Sequence, residues 1–173
     1  MEPVDLTVLH AAIKLDLETA FPDLETVTYY SRENRKVDTP ALFFELEEIE
    51  ANDPFDSGGE QWSVLLHFAA YVLVDYKAEL AKLETRVRAA NLAGWIKGRR
   101  FGAPIGPAII KAVVPEPFHE SDETMEIGWT HEAYINQSIW TDGDPVGEVL
   151  ASVSPEIGPP NIDSYKQLYP LLT

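Results

Sequence analysis

The sequence contains no cysteine, which excludes disulfides, thiolate metal sites and cysteine nucleophiles. It is also short of positive charge: 13 Lys and Arg stand against 29 Asp and Glu, a formal net charge of −16. Tight, sequence-independent binding of nucleic acid draws on cations that neutralise phosphates, so this deficit argues against it. No apolar run approaches the roughly 20 residues that span a bilayer; the longest candidate, Phe68 to Val74, is strand-sized. The opening residues Met1-Glu2-Pro3-Val4-Asp5 are acidic where a secretory leader would be basic and then apolar, so no leader and no membrane partner are expected. No Gly-x-Ser-x-Gly elbow and no Gly-Lys-Ser/Thr phosphate loop occurs.

What is present suffices for one core. The chain has 173 residues, 45% of them apolar, with four Trp, seven Tyr and seven Phe. A chain of this size buries roughly 70% of its unfolded surface and needs no staples. After Thr141 proline recurs at 145, 155, 159, 160 and 170, and no hydrophobic period survives. The organisation expected is therefore one α+β domain over residues 1–140, followed by a proline-rich arm over 141–173.

Leu6, Leu9, Ile13, Leu17 and Phe21 follow helical spacing, with Asp5 placed to cap the start and Pro22 to end it. Val27 to Tyr30 reads as a short strand, and Ser31 to Pro40, with Arg32, Arg35 and Lys36, as a loop. In Ala41 to Glu50, Leu42, Phe44 and Leu46 alternate with Glu45 and Glu47, as in a half-buried strand. Trp62 to Tyr76 reads as a central strand, and the two should form a long hairpin, part of it protruding. Glu79 to Lys97 reads as a second helix burying Leu80, Leu83, Val87, Ala90 and Gly94, with Gly98 as its left-handed cap. Arg99 to Pro107 reads as a loop and Ala108 to Val114 as a buried-type strand. In Met125 to Trp140, Met125, Ile127, Trp129, Ala133, Ile135 and Ile139 alternate with Glu126, Thr130, Glu132, Asn136 and Ser138. The expected fold is an antiparallel or mixed sheet with two helices packed on one face, a long β-hairpin and an extended C-terminal arm.

Candidate chemistry is thin. His10, His67, His119 and His131 lie in no ligand spacing, and His67, within an apolar strand, reads as a core residue. His131 and Glu132 are strand neighbours and should point to opposite faces. Asp142, Asp144 and Glu148 lack the remaining ligands of a calcium loop and read as a turn. Gly98, Gly102 and Gly106 follow a helix where a phosphate loop would precede one, so a cap and turn explains them better. Glu45, Glu47, Glu48 and Glu50 read as a solvated strand face without a partner base. No catalytic residue, cofactor or metal is assigned.

Charge placement carries more information. Eight of the thirteen basic residues lie between Lys77 and Lys111, and none occurs between Lys36 and Lys77 or between Lys111 and Lys166. A basic surface on one subunit meeting an acidic one on the next would use this segregation. The subunit-interface candidates are Arg86, Lys97, Arg99 and Arg100 on the basic side and Glu45 and Glu47 on the acidic side.

The order of parts resembles the tail terminator (tail-completion) proteins of long-tailed bacteriophages, particularly the Mu-like prophage branch. The resemblance rests on the Leu6 to Ala20 helix, the hairpin through Phe43-Phe44-Glu45-Leu46 and Val64 to Tyr76, the helix ending Asn91-Leu92-Ala93-Gly94-Trp95-Ile96, and the strand Met125-Glu126-Ile127-Gly128-Trp129. It covers roughly residues 5 to 140 and is architectural, with no catalytic signature. It implies an α+β subunit that closes into a hexameric ring on the tail tube, stops tube growth and offers a surface to the head. It implies partners in the tail tube protein and a head-completion or connector protein, with DNA only passing through an acidic lumen. It further implies assembly in the host bacterial cytoplasm and residence in the virion tail, without cofactor or catalysis. Another tube or connector component, or a small acidic immunity or regulatory protein binding one basic partner, are the alternatives.

Overall fold

The computed structural model describes residues 2–30, 37–52, 61–116 and 122–136, with the backbone of 150–151 and 166–167. The segments around Arg32, Arg35 and Lys36, around Ser57, around His119, and the Asp142–Glu148 turn lie outside the described residues, as do Ser138 and Ile139. The chain divides into two compact units, Met1–Ile139 and Trp140–Thr173. The second unit contains a short antiparallel pair, Leu150–Ala151 with Lys166–Gln167.

The first unit is α+β, with order α1 (Leu6–Ala20), β1 (Thr26–Tyr29), β2 (Ala41–Ala51), β3 (Trp62–Asp75), α2 (Ala81–Ile96), β4 (Ile109–Pro115) and β5 (Asp122–Ile135). The sheet runs β1-β2-β3-β5-β4. It is mixed: β1 lies parallel to β2, and every other pairing is antiparallel. Local chemistry explains the first helix. Asp5 accepts from the backbone N–H of Thr7 and Val8 at 2.8 and 3.1 Å, satisfying donors that a helix start leaves free. Leu9, Ile13 and Leu17, at helical spacing, are buried against the sheet core.

Strand alternation then decides which side of the sheet is the core. Leu42 and Phe44, Val64 to Val72 by twos, and Met125, Ile127, Trp129 and Ala133 join both helices in one cluster. Both helices therefore cover the same face, as a period of two along each strand permits.

Four expectations are corrected. First, β2 is not half-buried from its start: Ala41, Leu42, Phe43 and Phe44 are all buried, because Phe43, Ala41 and Leu73 form a second small cluster on the other face. Second, exposure toward the hairpin's tip lies mainly on the β2 arm, with Trp62 exposed at the start of the β3 arm. From Glu47 to Ala51 β2 faces solvent, whereas β3 is paired along all its length by β5, from Trp62↔Ile135 to Asp75↔Asp122. Third, β4 is an edge strand and not a buried one; Ile109, Val113 and Val114 are exposed because only β5 pairs with it among the described residues. Fourth, α2 is turned over. Its buried residues are Ala81, Thr85, Ala89, Leu92, Ala93 and Ile96, while Leu80, Leu83 and Val87 are 63%, 57% and 50% exposed.

The connection after α2 is more than a turn. Gly98 and Gly102 take φ of +80° and +66°, the left-handed region that favours glycine. Between them and β4, Phe101 and Ile105 are buried, and Phe101 sits edge-on to His131 with ring centroids 5.7 Å apart. Gly106 lies so close to β5 that an added Cβ would meet Glu132 at 3.2 Å.

Candidate functional site: two oppositely charged surfaces

The basic candidates gather on and just beyond α2. Arg86 is exposed and its Nη1 donates to the Lys82 carbonyl at 2.7 Å, which holds its side chain along the helix. Arg99 lies on the Trp95 ring, its guanidinium carbon 3.8 Å from the centroid, and its Nε donates to the Trp95 carbonyl at 2.7 Å. Stacking fixes a long side chain in advance, so less freedom is lost if that guanidinium meets a carboxylate. Lys97 and Arg100 are exposed beside it. Arg88 is different: it bonds Asp23 and Glu84, tying α2 to the end of α1 over a small hollow of about 150 Å³. The bond from Arg88 holds the Asp23 carboxyl below its usual range.

The acidic candidates lie on the other side of the sheet. Glu45 pairs in register with Ala69, one residue out of step with the core residues Phe44 and Ala70, so it points away from the helices. A bulge between Leu46 and Glu48 follows, and Glu47 accepts the Tyr71 hydroxyl at 2.9 Å. Glu126, the register partner of Tyr71, shares that face, and Glu132 is exposed further along β5. Burial, then the Glu47 and Glu116 carboxylates, push the Glu126 carboxyl upward. Burial, the bond to Glu47 and the charges of Glu47, Glu126 and Glu45 push the Tyr71 phenol well above its ordinary value.

Proton linkage gives the Tyr71 shift a measurable sign. Below pH 10 the phenol is protonated folded or unfolded; above it the unfolded chain loses its proton first, so stability falls as pH rises. The chain should therefore lose stability above pH 10 more steeply than Tyr71→Phe, in urea melts taken at pH 9 and pH 11. Parallel curves would mean that the phenol is not held among carboxylates.

The three histidines among the described residues separate by environment. His67 is not a core residue: it lies on the acidic face and bonds Glu50 at 2.9 Å. The buried ones are His10 and His131. His10 is stacked on Tyr30 and Phe44, with Nε2 at 2.9 Å from the Tyr30 hydroxyl. His131 faces the core while Glu132 faces solvent, as their adjacency requires. Among the described residues no group of three His, Asp or Glu is placed to hold a metal ion. No helix among them is long and apolar enough to cross a membrane.

Sequence reasoning found the basic cluster, because its signal is local crowding of charge. It missed Tyr71, Glu126 and Glu132 as members of one surface, since that requires the β3–β5 register. It also placed Leu80, Leu83 and Val87 inside. No protein-family model and no curated protein matches the chain.

Proposed function

We propose that this chain is a structural subunit of a long-tailed phage or prophage tail, one that closes into a ring on the tail tube, ends tube growth and presents the head-joining surface. The observation that carries the reading is the placement of opposite charges on opposite sides of one subunit. Exposed Arg86, Lys97, Arg99 and Arg100 belong to the helix layer, and Glu45, Glu47, Glu126 and Glu132 to the face of the sheet opposite the helices. Two different surfaces that attract each other favour a head-to-tail contact, which closes into a ring when the rotation per subunit divides a full turn. The resemblance to tail terminators supports the reading, and the role asks for no cofactor. A hexamer is the expected ring, and the net charge of −16 suits a lumen through which DNA passes without being held.

The test is the mass of the purified protein by light scattering over a concentration series, repeated with purified tail tubes. A sixfold mass, or recruitment of the monomer to tube ends, is the expected result. Filaments would favour a tube or connector component. A persistent monomer ignored by tubes would overturn the reading in favour of a small acidic binding protein.

A further inference from the structure

Among the described residues one face of α2 has no partner, and it is the face that the hydrophobic pattern would bury. Leu80, Leu83 and Val87 are exposed, and Ala90 and Gly94 continue the row at the same spacing. Nothing lies within 4 Å of a Cβ placed on Gly94. Fourteen residues of helix make this row about 21 Å long. Single exposed leucines are ordinary on a surface, but an aligned row of this length is the pattern of a helix that packs on something. Lys82 and Arg86 border the row, and Lys97 and Arg100 stand at its end. Among the described residues Arg86, Lys97 and Arg100 make no ion pair, and Lys82 reaches only Glu123, at 3.9 Å.

The same subunit carries the complement. β1 pairs with β2 only from Ala41 to Phe44 and the Tyr30 hydroxyl accepts from the Leu46 N–H at 3.4 Å, so among the described residues the outer edge of β2 is open beyond Leu46. There the strand is exposed, with Ile49, itself 36% exposed, on the helix side of the sheet and Glu48 and Glu50 on the other side. We infer that the outer face of α2 docks along this open edge of β2 in a second copy of the chain, the leucine row over Ile49 on one side of the strand and Lys82 and Arg86 reaching Glu48 and Glu50 on the other. The two surfaces are different, so the contact repeats from copy to copy and either closes or propagates. This contact rests on the assembly reading above and names its seam.

A charge-swap mixture tests it. Lys82→Glu with Arg86→Glu makes one variant, and Glu48→Lys with Glu50→Lys makes the other; all four side chains are exposed, so both should melt like the parent chain. Each variant alone brings like charges together at every contact, and self-association should weaken at least about tenfold. Mixed one to one, the variants alternate around the assembly with every contact complementary, and association should return. Leu83→Glu with Val87→Glu should abolish association with no rescue by either. Assembly of either charge variant at parental strength, or an equimolar mixture that stays dissociated, overturns the seam. If the parent chain assembles while these outcomes fail, only the seam is wrong. If the parent chain neither assembles nor joins tail tubes, the assembly reading falls with it.

Discussion

Trp129→Ala is expected to lower the unfolding free energy by about 3–5 kcal/mol, and thus the thermal midpoint by roughly 6–20 °C. Trp129 is 1% exposed and lies flat on Phe68, ring centroids 5.3 Å apart at 12°. Its removal would leave a cavity at the middle of the two longest strands, where neighbours on both sides are fixed in register. A second loss adds to the first. The indole Nε1 donates to His131 Nε2 at 3.1 Å, and an indole can only donate. Nε2 must therefore be the unprotonated nitrogen, leaving Nδ1 to donate to the Gly106 carbonyl at 2.8 Å. Alanine at 129 would strand a buried acceptor as well as open a void.

The variant Trp129→Phe is intermediate. It keeps one aromatic ring on Phe68 but removes the N–H together with part of the indole, and should cost about 1–3 kcal/mol. Urea melts of the three proteins decide it. If Trp129→Ala costs under about 1 kcal/mol, the stack is not what holds the centre of the sheet.

Burial and this bonding also bear on pH. Burial lowers the His131 pKa below its ordinary 6.5. The neutral ring contributes stability that is present above that value. That stability is lost as pH falls through the folded value, because the unfolded chain takes up the proton first.

The second large effect is a contrast along one helix. Leu92→Ala should cost about 2–5 kcal/mol, because its side chain is 3% exposed within the main core. Leu83→Ala and Val87→Ala, earlier on the same helix, should stay within about 0.5 kcal/mol of the parent. A hydrophobic pattern alone would rank these the other way for Leu83 and Val87. Equal losses at all three positions would show that α2 is seated with its leucine row inward. Should the purified chain be assembled under the conditions used, the Leu83 and Val87 losses would depend on protein concentration and the Leu92 loss would not.

Much of the fold was legible in the residues, because its signals are local. Alternation in β2 and β5 and the long apolar, β-branched run of β3 mark strands whatever they pair with, and the Asp5 carboxylate caps α1 within three residues of itself. The crowding of Arg86, Lys97, Arg99 and Arg100 is likewise a property of the chain before it folds. What the residues left open are pairwise matters. In α2 two rows run at helical spacing, one through Leu80, Leu83 and Val87 and the other through Ala81, Thr85, Ala89, Leu92 and Ile96. They lie roughly half a turn apart at 3.6 residues per turn, so periodicity accepts either and side-chain size favours the first.

Tertiary structure chose the second. Its small residues seat the helix against the sheet, the Thr85 hydroxyl donates to the Ala81 carbonyl at 2.6 Å, and Arg88 reaches Asp23. The same holds for the acidic surface: Tyr71, Glu47 and Glu126 become neighbours only through the register of three strands. Spacing along a chain determines which residues share a face, while which face turns inward depends on what the rest of the molecule offers to cover it.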